Sequence, residues 1–184
     1  MTAPSTTPTT PTDDGAGEGG RHHLVVVRVE NKAGVLARIA GLFSRRGFNI
    51  FSLAVAPTHD PRFSRISIVV DLESTRLDQV LAQLEKLVNV VEIRELRPAD
   101  ATEAELCLVT VRAALARAAL EAALAAAGAR VVEEVGDTVT ARLAGAPAEL
   151  DAFEAALARF EIVELQRTGR VALPKLAPAL RAPA

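Results

Sequence analysis

A short polar stretch before a predicted helix holds the residues whose types and spacing best suit ligand chemistry. Residues 31–34, with the sequence NKAG, follow the strand-like run LVVVRV and precede an amphipathic segment. The first N–H groups of a helix are unpaired and carry the positive end of the helix dipole, so they can hold a carboxylate or a phosphate. Gly34 would let such a ligand approach the backbone, and Asn31 offers an amide that both donates and accepts hydrogen bonds. These features suit an amino acid.

A simpler interpretation is that Asn31 caps the helix and Gly34 only allows tight packing. Caps occur on most helices, so the spacing alone favours this structural interpretation. A helix terminus contributes about 0.3–2 kcal/mol towards an anion and each charge-assisted hydrogen bond about 1.5–3 kcal/mol, whereas micromolar binding needs about −8 kcal/mol. A ligand here therefore needs a further polar group, and Asn49, at the start of the next strand, could supply it from a neighbouring chain.

Other reactive side chains carry weaker signals. His22 and His23 stand next to a polar tail, and the pair His59-Asp60 lies in a polar loop, which is typical of a solvated turn. Cys107 lies in the apolar run LCLVTV, which predicts a buried, inert thiol. No Cys–His spacing suits zinc. We therefore expect no catalytic residue, no metal site and no enzyme activity of the chain by itself.

Composition narrows the classes of partner. The 184 residues carry a formal net charge of −2, which gives no electrostatic reason to expect nucleic acid or an anionic membrane. Aromatic residues make up 3%, so few side chains could stack on bases. No run approaches the roughly 20 apolar residues of a membrane span, and the N-terminal segment lacks the apolar core of a signal peptide. We expect a cytoplasmic protein.

Hydrophobic periodicity predicts the same order of elements twice. The first half shows strand patterns at 24–29, 50–57, 65–71 and 90–96, with helical spacing of apolar residues at 35–43 and 77–88. Gly47 suits a helix C-terminus. The second half shows strand patterns at 106–112, 129–135, 138–143 and 161–166, with helices at 114–127 and from Pro147. Gly136-Asp137 predicts a hairpin turn, and Leu150, Phe153 and Leu157 form an apolar stripe.

Two βαββαβ halves predict an α+β protein with two tandem ferredoxin-like domains, each an antiparallel sheet with helices on one face. The predicted boundaries are a disordered Thr/Pro/Gly-rich tail at 1–22, a first domain at 23–97, a linker at 98–104, a second domain at 105–173 and a flexible tail at 174–184. Domains this small bury only about 60% of their unfolded surface. We therefore expect a homodimer, with the other face or an edge of the sheet free to pair.

The first half resembles the N-terminal ACT domain of acetolactate synthase (acetohydroxyacid synthase) small regulatory subunits. Four stretches match that family in order and spacing: ENKAGVLARIAGLFSRRGFNI, SLAVAPT, SRISIVV and QLEKLVNVVEI. The resemblance is dense across 24–96. It is weaker in the second half, where LCLVTV, VVEEVGDTVTARLAG, ELDAFEAAL and EIVELQRTGRVAL follow the family's C-terminal, ACT-like domain.

The resemblance implies a non-catalytic subunit in branched-chain amino-acid biosynthesis. Members of the family bind a thiamine-diphosphate-dependent catalytic (large) subunit, raise its activity and confer feedback inhibition by valine. Mg and FAD are also expected on that partner, and no cofactor on this chain. In the family the effector lies between the ACT domains of two chains. The residues implied for valine binding are Asn31, Gly34, Val35 and Leu36 of one chain with Asn49 and Ile50 of the other, Val35, Leu36 and Ile50 forming an apolar wall.

Departures from the family pattern leave alternatives. The second half has VRAALARAAL where the first has its N-x-x-G turn, so we expect one effector loop per chain. An ACT-domain amino-acid sensor for a different enzyme is the main alternative function. An RNA-binding module needs aromatic residues that SRISIVV lacks. The loop 58–64 and the sheet around 52–55 are candidates for the surface that meets the catalytic subunit.

Overall fold

The computed structural model describes residues 22–71, 74–114 and 116–176, without the side chains of 74–76. The tail predicted at 1–22 lies outside the described residues except for His22, and the tail predicted at 174–184 lies outside them from residue 177. Within the described part, no helix combines the length and apolar character needed to span a bilayer.

The first domain has the predicted order βαββαβ. Its elements are β1 (His22–Glu30), α1 (Val35–Arg45), β2 (Ile50–Pro57), β3 (Phe63–Asp71), α2 (Ser74–Leu84) and β4 (Val90–Leu96). The strands form an antiparallel sheet in the order β2-β3-β1-β4, so β2 is one edge. Helix α1 is followed by Gly47 with a φ of 66°, which confirms the predicted left-handed end of the helix.

The second domain repeats this order and confirms the predicted pair of ferredoxin-like units. A 3-10 turn (Pro98–Asp100) leads into β5 (Ala101–Arg112), α3 (Arg117–Ala127), β6 (Arg130–Val135), β7 (Thr138–Gly145), α4 (Pro147–Leu157), β8 (Glu161–Arg167) and β9 (Val171–Pro174). The sheet order is β6-β7-β5-β8. The hairpin at 136–137 and Pro147 at the start of α4 are as predicted.

Each domain has its own hydrophobic core between sheet and helices. Alternate residues of β1, namely Val25, Val27 and Val29, pack with Ile39 and Phe43 of α1 in the first core. The second core includes Leu150, Phe153 and Leu157, which confirms the apolar stripe of α4. Period-two burial on strands and period-3.6 burial on helices follow from the backbone geometry, and this is why sequence periodicity located these elements.

The predicted linker at 98–104 is wrong from residue 101 onwards. Residues 101–104 are the first part of β5, and they pair antiparallel with β9, Ala101 opposite Pro174 and Ala104 opposite Val171. Strand β9 was not predicted, because four residues between a turn and a proline give too little periodicity to identify a strand. The second domain therefore begins at 101 and ends at 174 rather than spanning 105–173.

The β5–β9 pair covers part of the first sheet. Its Ala101 and Ala172 lie in a third buried cluster with Leu24, Val26, Val69 and Leu96, which are on the sheet face opposite the helices. The expectation of a free second face is therefore wrong where this ribbon lies. Strand β2 remains an edge, because its only partner in the described chain is β3.

The turn between β8 and β9 packs directly against β2. Gly169 is so close that an added Cβ would lie 3.3 Å from the Leu53 nitrogen and 3.3 Å from the Ser52 Cβ. The Arg170 amide is 3.5 Å from the Ser52 Oγ, which accepts its hydrogen bond. The two domains are thus in contact through β2, which begins at one of the predicted effector residues, Ile50.

We predict that Gly169→Ala destabilises the protein more than Gly136→Ala. Both glycines have positive φ, 79° and 61°, so both variants carry the backbone penalty of about 1–2 kcal/mol for an L-residue there. Only residue 169 would also press on β2, which adds about 1–3 kcal/mol of overpacking. Urea denaturation followed by circular dichroism measures both losses, and equal losses would show that the contact with β2 is not tight.

Candidate functional site

The N-terminus of α1 is open. Gly34 precedes the helix with a left-handed φ of 84°, and no side chain caps the helix. The capping interpretation of Asn31 is therefore wrong. The Val35 amide is 3.3 Å from the Lys32 carbonyl oxygen, whereas the amides of Leu36 and Ala37 have no hydrogen-bond partner among the described residues. A Cβ built at Gly34 would meet nothing within 4 Å, so the space beside Gly34 is open.

A neighbouring loop fixes Asn31. Its amide donates to the Arg62 carbonyl at 2.7 Å, and its side-chain Nδ2 donates to the Pro61 carbonyl at 3.0 Å. The loop is itself held by Asp60, whose carboxylate accepts from the Arg62 guanidinium at 2.6 Å. Hydrogen bonds from the Arg62 side chain and backbone lower the pKa of Asp60 to about 2. The exposed Oδ1 of Asn31 has no partner in the described chain and can accept from a ligand ammonium.

Sequence reasoning missed a polar network beside this loop. Asn89 donates to the Glu30 carboxylate at 2.6 Å and accepts from Arg38 at 3.3 Å. Lys32 donates to the same carboxylate at 3.1 Å. The hydrogen bond from Asn89, and then that from Lys32, lowers the pKa of Glu30. The network ties the end of β1 to α1 and to the turn before β4, and no short-range signal could have paired residues so distant in the sequence.

One chain does not bring all the predicted site residues together. Asn31 and Gly34 precede α1, whereas Asn49 and Ile50 follow it. An eleven-residue helix rising about 1.5 Å per residue separates these two groups by about 16 Å. A ligand the size of an amino acid cannot contact both groups in one chain. Asn49 is exposed and Ile50 half-buried against the core, at the start of the edge strand β2.

The apolar wall differs from the prediction at one position. The Val35 side chain is only 6% exposed and belongs to the first core, because it shares the inner face of α1 with Ile39 and Leu42. It therefore leaves only its backbone for a ligand. Leu36 is 40% exposed on the outer side of the first turn and remains available for apolar contact.

The cysteine and the two N-terminal histidines are buried in the fold or contact neighbouring side chains. The Cys107 thiol is buried, as predicted, and burial raises its pKa. His23 lies 3.2 Å from the Glu95 carboxylate, and the His22 ring packs 4.3 Å from that of Phe51. Among the described residues, no three His, Cys, Asp or Glu side chains are grouped as a metal site would require.

Comparison with known proteins covers both domains. Residues 25–92 match the family profile described as the AHAS small subunit-like ACT domain, and residues 104–176 match the profile described as the small subunit of acetolactate synthase. The acetolactate synthase small subunit of Mycolicibacterium smegmatis is 40% identical over 154 residues, which are 83% of this chain and 91% of that protein. A probable acetolactate synthase small subunit of Methanothermobacter thermautotrophicus is 37% identical over 155 residues, with coverage of 83% and 92%.

A solved structure has the same fold over most of the chain. The crystal structure of the acetolactate synthase small subunit from Thermotoga maritima matches with a TM-score of 0.78 and 31% sequence identity. The match covers 85% of this chain and 99% of that one. Sequence profiles, relatives and structure therefore agree across both halves and confirm the resemblance found in the sequence motifs. This chain belongs to the acetolactate synthase small-subunit family, with an ACT domain followed by the family's C-terminal domain.

Proposed function

We propose that this chain is the regulatory subunit of an acetolactate synthase. It binds the catalytic large subunit, raises the activity of that subunit and confers feedback inhibition by valine. The observation that supports an effector role is the uncapped N-terminus of α1, where two amides have no partner in the described chain and the space beside Gly34 is open. Thiamine diphosphate, Mg and FAD are placed on the large subunit in this proposal. The alternative, an ACT-domain sensor for a different enzyme, is less favoured because the second domain also matches the acetolactate synthase profile.

In this proposal, valine binds between the N-terminal end of α1 of one chain and the C-terminal end of α1 of a second chain. The amides of Leu36 and Ala37 hold the carboxylate, and the Asn31 Oδ1 accepts from the ammonium. One helix terminus and three charge-assisted hydrogen bonds supply about 5–11 kcal/mol, and the ligand's lost freedom on binding offsets about 4 kcal/mol or more, so these contacts alone fall short of the roughly −8 kcal/mol of micromolar affinity. Asn49 and Ile50 of a second chain supply the remaining polar and apolar contacts.

A homodimer is therefore part of the proposal. The separation of about 16 Å between the two groups of site residues requires that a second chain complete the site. Strand β2 offers an unpaired edge for such an association, and Asn49 lies directly before it. An edge strand pairs readily with another chain unless it is covered.

Feedback inhibition requires that valine bind two arrangements of the protein with different affinity. Strand β2 connects the proposed site with the second domain, because it begins at Ile50 and contacts Gly169 at Leu53. A ligand that moves the start of β2 would thus change the packing of the β8–β9 turn. We propose this contact as the route by which the second domain senses valine.

The direct test is to mix the chain with the large subunit and measure acetolactate formation. We expect the chain to raise the rate, millimolar valine to lower it, and the chain alone to condense no pyruvate. Calorimetric titration of the chain with valine, with leucine and isoleucine as comparators, measures the effector affinity separately. Activity of the chain without its partner, or a rate that the chain does not change, would contradict the proposal.

Gly34→Asp should abolish valine inhibition while largely preserving activation of the large subunit. The new carboxylate would lie near that of the effector. Two such charges about 4 Å apart near a protein surface repel by more than the roughly 1.4 kcal/mol of a tenfold affinity change. Gly34→Asn is the matched control, because Asn has the same shape without the charge and both residues tolerate positive φ. Equal valine concentrations for half-maximal inhibition in the two variants would place the effector elsewhere.

Asn49→Ala should weaken valine binding without dissociating the dimer. Loss of one hydrogen bond to a charged group costs about 1.5–3 kcal/mol, or roughly 10- to 150-fold in affinity. Calorimetry measures the affinity and sedimentation equilibrium measures the dimer mass. An unchanged affinity would remove Asn49 from the site, and a loss of dimer mass would assign it to the subunit contact instead.

A further inference from the structure

The outer face of the first sheet carries three arginines around one carboxylate. Arg28 on β1, Arg65 on β3 and Arg94 on β4 lie on the sheet near Glu92. The Glu92 carboxylate pairs with Arg94 and lies 3.5 Å from the Arg28 Nε. These four side chains together carry a net charge of +2, although the whole chain has a formal net charge of −2.

The arginines are incompletely neutralised. Arg28 and Arg65 are direct cross-strand partners, and like charges in this position repel each other. Arg65 has no carboxylate partner among the described residues, and the Arg28 side chain is 40% exposed, with the Glu92 carboxylate at 3.5 Å as its one ionic partner in the described chain. Both guanidinium groups can therefore accept an external anion without losing an existing hydrogen bond.

An apolar groove of about 550 Å³ adjoins these arginines. One wall is β2, with Ala54, Ala56 and Pro57, and the other is β9, with Val171 and Leu173. The two β9 side chains are 50% and 58% exposed. Arg65 lines both this groove and a smaller recess shared with Arg28 and Arg94, so the apolar and cationic parts form one continuous surface.

We propose that this surface, which we call the arginine groove, is the docking site for an acidic segment of the large subunit. The partner's identity rests on the proposed function, whereas its chemistry follows from the groove. Carboxylates of the segment would pair with Arg65 and Arg28, and an adjacent apolar side chain would fill the space between β2 and β9. Interfaces favour this composition, because arginine pairs with carboxylates through two parallel hydrogen bonds and a few buried anchor side chains, arginine among them, supply most of the binding energy.

The position of the groove suits a regulatory contact. Its walls belong to different domains, since β2 is part of the first sheet and β9 extends from the second. A segment bound between them is therefore sensitive to the relative position of β2 and β9. The contact between Gly169 and β2 fixes the relative position of these strands. Effector binding at the start of β2 would therefore alter the docking surface directly.

The test compares Arg65→Glu with Arg142→Glu for binding to the purified large subunit. Arg142 is an exposed arginine on β7 that also faces an arginine, Arg130, across the sheet, but it does not line the groove. We expect Arg65→Glu to weaken binding at least about tenfold and to flatten its dependence on salt, because the charge pair is lost and repulsion replaces it. The Arg142 variant should stay within about twofold of wild type, and calorimetric valine affinity should be unchanged in both.

A second variant keeps the test decisive if Arg65→Glu fails to fold. Leu173→Asp places a carboxylate in the apolar part of the groove, at a side chain that is already largely exposed, and should also weaken binding. Hydrogen exchange in the complex should slow at 54–57 and 171–173. Wild-type affinity in either folded variant would overturn the docking site while leaving the proposed function intact.

Two further outcomes would overturn the docking site. If Arg65→Glu lowers the dimer mass in sedimentation equilibrium, the groove is a contact between copies of this chain and the proposal is wrong. If the wild-type chain does not bind the large subunit at all, the proposed function and the docking site are both overturned.

Discussion

Strand β5 links the two domains, because its first part packs against the first sheet and its remainder belongs to the second. Its first four residues pair with β9 and pack Ala101 against the first sheet, whereas the remainder is central in the second sheet, between β7 and β8. Where these parts meet, the buried Glu105 accepts from Arg167 at 2.7 Å and lies 3.5 Å from the Arg170 Nε. A buried carboxylate that loses such partners costs about 3–5 kcal/mol, so the β8–β9 turn is held in place.

This arrangement makes the packing of the second domain depend on the first. The turn that β5 holds in place through Glu105 also packs Gly169 onto β2. The two ends of α1 lie about 16 Å apart, so a small effector can use both only when two chains meet. In the proposed function, effector recognition therefore depends on dimer association, and β2 is the element that both affect.

The arginine groove adds a third role for β2. Its outer side faces β9 across the groove, its start carries Ile50, and its middle contacts Gly169. The cationic surface is unusual on a chain of formal net charge −2, and its charges are spread over three strands that are distant in sequence. A partner that binds this surface would contact both domains at once, which suits a protein whose relatives are named as small subunits.

The sequence by itself determined the two βαββαβ units and the turns at Gly47 and 136–137, because periodicity and glycine placement are local properties of the chain. It assigned Asn31, Leu36 and Val35 to the ligand, and of these the structure leaves Asn31 and Leu36 exposed and buries Val35. Only the tertiary structure decided the pairing of β9 with β5, the Glu30–Asn89 contact and the meeting of Arg28 with Arg65. Each of these depends on which distant segments become neighbours, and a pattern within one short segment does not specify the strand with which it pairs.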